Sequence, residues 1–113
     1  MAEPSLENIF GAGATQSAST LTISKTDLAS AGLTAATENT SESLLAAILF
    51  LAKESLTAEN FANNADQSIT IEPGFNSIVQ RPDSSGNTSE FRQFQYNINL
   101  HKPDNAVLIP DDL

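Results

Sequence analysis

At 113 residues, with five Lys and Arg against fourteen Asp and Glu, the chain carries a formal charge of -9. That length fits one domain, and that charge repels phosphate backbones and anionic membrane surfaces, which argues against direct nucleic-acid or membrane partners. With no cysteine there is no disulfide framework, thiolate nucleophile or sulfur-ligated metal site.

The opening segment, MAEPSLENIF, has acids where a secretory signal has a basic stretch, and no apolar core follows, so export by a signal peptide is not expected. Gly11 to Ser19 reads GAGATQSAS, small residues that bury little. Residues 1–19 are therefore expected to form an arm, flexible or ordered against a neighbouring subunit, anchored by Ile9 and Phe10. Its glycines lack the Lys-Ser/Thr ending and the third glycine of nucleotide-binding loops.

Residues 20–103 read as a single domain. TLTISKTDL starts as a short strand with Leu21 and Ile23 on one face, and Gly32 breaks the segment after it. NTSESLLAAILFLAKESL is the strongest helix signal: Asn39 is the expected cap, with Glu42 completing a capping box. Leu44, Leu45, Ile48, Leu49, Ala52 and Leu56 form its apolar stripe, with Phe50 and Leu51 at the sides. Its apolar run, Leu44 to Ala52, falls well short of the roughly 20 residues of a membrane span.

Thr57 offers a second cap, for a short helix carrying Phe61 inward and ending at Asn63 and Asn64. SITIE is a strand with Ile69 and Ile71 on one face, interrupted by a turn or bulge at Pro73 and Gly74. FNSIVQR resumes as strand, and residues 82–90, PDSSGNTSE, form a long protruding loop. In FRQFQYNINLHK, Phe94, Tyr96, Ile98 and Leu100 alternate with Gln95, Asn97, Asn99 and His101, so the first set is expected to line the core. Phe91 has the opposite parity, which predicts either a bulge near Arg92 and Gln93 or an aromatic on the outer face. Pro103 ends the strand, and residues 104–113 make a tail with Val107, Leu108 and Ile109 as its anchors. The expected fold is α+β: one long helix and a short one on an antiparallel sheet of about four strands, with extended N- and C-terminal arms.

The chemistry points away from catalysis. His101 is the sole histidine and the only conventional base, and no other ligands are spaced to join it around a metal. No catalytic residue, metal or cofactor is expected. The uncharged strand face is more telling: Gln93, Gln95, Asn97 and Asn99 can pair across a subunit contact without the desolvation cost of ions, or can simply meet water on a half-buried sheet. With Ile9, Phe10, Phe91, Val107, Leu108 and Ile109 they make up the candidate interface. A chain this small buries only about two thirds of its unfolded surface, and docking of the arms on neighbours would add stability.

The succession of FGAGATQSASTLTISKTDL, NTSESLLAAILFLAKESL, SITIEPGFNSIVQR and FRQFQYNINLHKP resembles small uncharacterised proteins of cyanobacteria and their phages or prophages. The resemblance spans most of the chain and implies a structural subunit of a virion or tail-like particle: a head, neck, tail or capsid-decorating protein. It implies partners that are copies of itself and other particle proteins, and a location in the virion or in the host cytoplasm during assembly. It carries no functional residues with it. The alternative reading is a small adaptor module that grips a protein ligand with the 82–90 loop and the outer sheet face.

Overall fold

The computed structural model describes residues 2–103 and 107–113. The fold is α+β. In the segment expected to be an arm, Leu6–Phe10 forms a short helix, α1, closed by a reciprocal capping box: Ser5 Oγ accepts from the Asn8 N–H at 3.1 Å and Asn8 Oδ1 accepts from the Ser5 N–H at 3.2 Å. This segment is tied to its own chain. The Ser55 hydroxyl donates to the Asn8 carbonyl at 2.9 Å, the Asn64 amide donates to the Ala2 carbonyl at 2.8 Å, and Ile9 packs against the core.

Thr15–Gln16 (β1) and Leu21–Thr22 (β2) pair as a minimal hairpin. A 3₁₀ helix follows at Lys25–Ala31 and stops at Gly32, whose left-handed φ of 102° suits a residue without a Cβ. Its Leu28 is the deepest side chain described, 2 % exposed.

The long helix, α2, spans Ser41–Ser55. Its cap is Thr40, one residue after the expected Asn39: the Thr40 hydroxyl accepts from the Ser43 N–H at 3.1 Å. Asn39 instead folds the approach to the helix, accepting from the Ala36 N–H and donating to the Thr34 carbonyl. The buried line also differs from the expected stripe. Ala47, Leu51, Ala52 and Leu56 are buried, whereas Leu45, Leu49 and Phe50 face outward. The 3₁₀ helix and the strands approach α2 from different sides, and the small Ala47 and Ala52 permit close approach along both lines. Two core clusters result: Leu28, Ala47 and Leu51 with Ile23, Leu33 and Ile48; and Ala52, Leu56 and Ile71 with Ile9, Ile69 and Tyr96.

Helix α3, Ala58–Asn63, is capped by Thr57 as its sequence predicts. Its first free N–H, at Ala58, is taken by the Glu72 carboxylate. Gln67 is a buried strut, 3 % exposed, whose amide donates to the carbonyls of both Thr57 and Ile69.

The remaining strands are Ile69–Pro73 (β3), Ser77–Pro82 (β4), Thr88–Gln93 (β5) and Tyr96–Leu100 (β6). They do not lie four abreast. β3 pairs with β6 and β4 with β5, two antiparallel ladders laid end to end along one long two-stranded ribbon. Between the ladders, Gly74, Phe75 and Asn76 oppose only Phe94 and Gln95, a bulge of one extra residue. Gln95 holds it on both sides: its carbonyl accepts from the Gly74 N–H at 2.7 Å and its side-chain oxygen from the Phe75 N–H at 2.9 Å. The count of three against two resolves the parity of Phe91, which shares a face with Val79 on the far ladder while Ile98 shares one with Ile71 on the near ladder.

The β4–β5 register runs through Pro82 opposite Thr88, so the expected loop of residues 82–90 shrinks to residues 83–87. Of the expected tail, residues 104–106 lie outside the described part. Pro110–Asp112 forms a 3₁₀ turn, and Leu113 lines a cavity of about 200 Å³ with Ile9, Phe10, Leu56 and Ile69.

Candidate functional site

Ile71 lies in the core cluster beneath α2, while its cross-strand neighbour Ile98 is 45 % exposed. One helix covers one strand well and the next only partly. The outcome is a groove of about 240 Å³ between α2 and the ribbon, lined by Leu49 and Phe50 of α2, Ile71 of β3, Phe94 of the bulge, and Tyr96 and Ile98 of β6. The face that the sequence assigns to the core is thus largely open: Phe94 is 62 % exposed, and Leu100 lies uncovered beyond Ile98.

Aromatic contacts organise the groove. The Phe50 and Tyr96 rings meet with centroids 5.6 Å apart at 56°, a tilted arrangement that suits their quadrupoles. Lys53 brings the lining its charge, with Nζ 5.6 Å from the Tyr96 centroid and 5.8 Å from that of Phe50. The ammonium is held over rings, its aliphatic stem along the apolar wall. Leu45, one turn before Leu49 and 58 % exposed, extends the apolar strip along α2.

The sequence-predicted interface residues separate into three groups. Ile9 and Phe10 are half-buried within their own chain. Gln93, Gln95, Asn97 and Asn99 are exposed; Asn97 and Asn99 share a face with Thr70 and Glu72, and Gln95 is engaged in the bulge. Phe91, Val107, Leu108 and Ile109 are exposed, with the Arg81 guanidinium 4.9 Å over the Phe91 ring. What sequence reasoning missed is the groove itself. The signal was present as surplus: α2 carries more large apolar residues than one buried stripe accommodates, and the excess faces out as Leu45, Leu49 and Phe50.

His101 closes the near ladder. Its N–H donates to the Ser68 carbonyl at 2.7 Å, its Nδ1 lies 3.1 Å from that same oxygen, and its ring stacks on Phe61 at 4.4 Å between centroids. The imidazole thus rests against Phe61 of α3 while the residue stays exposed. Among the described residues no three His, Asp or Glu side chains gather closely enough to hold a metal ion, and no helix is long and apolar enough to cross a membrane.

At the ribbon's far end Asp83 organises the turn. Its Oδ1 accepts from the Ser85 hydroxyl at 2.8 Å, the Ser85 N–H at 2.9 Å and the Asn87 N–H at 3.0 Å. These bonds, the Ser85 hydroxyl first, hold its carboxyl below the ordinary aspartate value. Gly86, at φ 88°, completes the reversal.

Compared with known proteins, the chain matches no family model, no curated protein and no solved structure.

Proposed function

We propose that this chain is a non-catalytic assembly subunit, a structural component of a phage or tail-like particle acting through contacts with copies of itself and with other particle proteins. The observation that carries the reading is the open apolar strip of Leu45, Leu49, Phe50, Phe94 and Ile98, contiguous across two elements and rimmed by polar residues. Such a strip is the usual mark of a protein contact. Its poverty in charge, within a chain of formal charge -9, matches the core of a subunit interface. In this role the protein resides in the virion, or in the host cytoplasm while the particle is assembled.

The test is incorporation. Tagged wild-type chain and the Phe94→Asp variant are expressed in a host producing the particles, which are purified by gradient sedimentation. Wild type is expected at stoichiometric level by mass spectrometry and the variant depleted by at least about tenfold, the effect of a lost central anchor. Wild-type chain absent from every particle fraction would refute the particle role.

A second reading, an adaptor gripping its ligand with the 82–90 segment and outer sheet face, draws on the Asp83 turn, whose preformed hydrogen bonds reduce the ordering cost of binding. An Asp83→Ala variant that enters particles normally but loses a protein ligand would favour it.

A further inference from the structure

We infer that β6 is a dimerisation edge: two copies pair β6 against β6 antiparallel about a two-fold axis at Ile98, making one four-stranded sheet in the order β3-β6-β6-β3. This rests on the assembly reading and names the first contact through which it acts.

The backbone directions settle which groups face the open edge. In an antiparallel ladder, alternate residues point their N–H and C=O toward the neighbour and away from it. The Gln95 carbonyl accepts from the Gly74 N–H and the His101 N–H donates to the Ser68 carbonyl, so the odd-numbered residues of β6 bond inward, to β3. The Ile71 N–H points the other way, to the Leu56 carbonyl at 2.8 Å, so Ile71 and its cross-strand neighbour Ile98 form a pair that does not bond across the ladder. Tyr96, Ile98 and Leu100 therefore direct their backbone donors and acceptors outward. On β3 the outer edge is engaged by Leu56; on β6 the equivalent edge takes no backbone partner among the described residues.

Natural sheets defend such edges with charge, proline or bulges. The far ladder has these devices, in Arg81, Glu90, Arg92 and Pro82. YNINL has none. Antiparallel self-pairing centred on Ile98 sets Ile98 against the partner subunit's Ile98, Tyr96 against the partner subunit's Leu100, and Asn97 against the partner subunit's Asn99. Every pair is apolar with apolar or amide with amide, so two copies of a strongly acidic chain meet here without opposed like charges. The apolar sides of both β6 strands then lie on one face, between the two α2 helices. Leu45, Leu49, Phe50, Phe94, Ile98 and Leu100 leave on the order of 500 Å² of apolar surface per copy, taking roughly 150–250 Å² for a large side chain, and a pair burying about 1,000 Å² reaches the lower bound of a specific interface.

The experiment uses the full chain, in which any introduced cysteine is the only one. Opposed bonded residues in such a pairing lie about 5.5 Å apart at Cα, within disulfide reach. Ile98→Cys is expected to oxidise to a linked dimer, while Ile78→Cys on the far ladder stays mostly monomeric. In light scattering and sedimentation equilibrium, wild type is expected to dimerise and Ile98→Lys to raise the dissociation constant at least about tenfold, by setting like charges opposite each other, with an unchanged circular dichroism spectrum. A wild-type dimer that Ile98→Lys leaves intact and Ile98→Cys fails to link would overturn the β6 edge and leave assembly through another surface standing. A wild type monomeric at its highest soluble concentration would overturn this pairing, with particle incorporation deciding the broader reading separately.

Discussion

Leu28 is nearly sealed between the 3₁₀ helix and α2, whereas in β4 and β5 not one residue is buried. The body obtains its order from two apolar clusters, a buried Gln67 strut and side-chain caps on α1, α2 and α3. The far ladder has its own backbone pairing, a long Gln80–Glu90 side-chain hydrogen bond, the Arg81–Phe91 contact and the Asp83 turn. A lone two-stranded ribbon is marginally stable in water at best. The contrast teaches that the body folds by burial while the ribbon is held in register by local hydrogen bonds, leaving its surface available for contact.

Five substitutions sharpen this contrast, taken in descending order of expected effect. Leu28→Ala removes a fully enclosed side chain from the first cluster and should cost about 2–5 kcal/mol, read by chemical denaturation; a loss under about 1 kcal/mol would mean that this cluster is not a core. Gln67→Ala strands two carbonyls in a buried setting, with an expected loss of about 1–3 kcal/mol. Thr40→Ala should cost about 1 kcal/mol by uncapping α2, and Asn39→Ala should leave the helix N-terminus protected in hydrogen exchange. Reversal of that pair would restore Asn39 as the cap. Phe91→Ala, half out in solvent with its cation–π contact, should change stability by less than about 1 kcal/mol.

The mildest test is pH, at the turn. The folded-state pKa of Asp83 is lowered, so the order it lends the tip is present above the unfolded aspartate range and is lost as pH falls through the folded value. Carboxyl NMR should show Asp83 titrating below the ordinary aspartate value, with Ser85 and Asn87 amide shifts following it. If Asp83 titrates at the ordinary value, the turn is not built on its charge.

Local chemistry made much of this fold legible. The Thr57 cap, the Gly32 stop and the interruption at Pro73–Gly74 each follow from a residue whose preference is satisfied within a few positions. The alternation of β6 was readable too, but not which of its faces was covered. Phe94, Ile98 and Leu100 look like core residues in any window, and only the placement of α2 over β3 exposes them. Within the segment expected to be an arm, GAGATQSAS is poor in apolar area, yet Gly13 donates to the Asp27 carboxylate at 2.6 Å and Ala14 is buried, contacts between segments that composition does not reveal. The amides were identified as exposed, while the groove beside them rests on a surplus of apolar residues that no short motif records.

The three-against-two junction at Gly74–Asn76 has a mechanical corollary. Because Gln95 fastens both sides of it, the outer ladder cannot creep along the inner one without tearing two bonds at once. The inner ladder is in turn fastened to the end of α2 by the Ile71–Leu56 bond, so the alignment of the outer ladder is referred, step by step, to the helix.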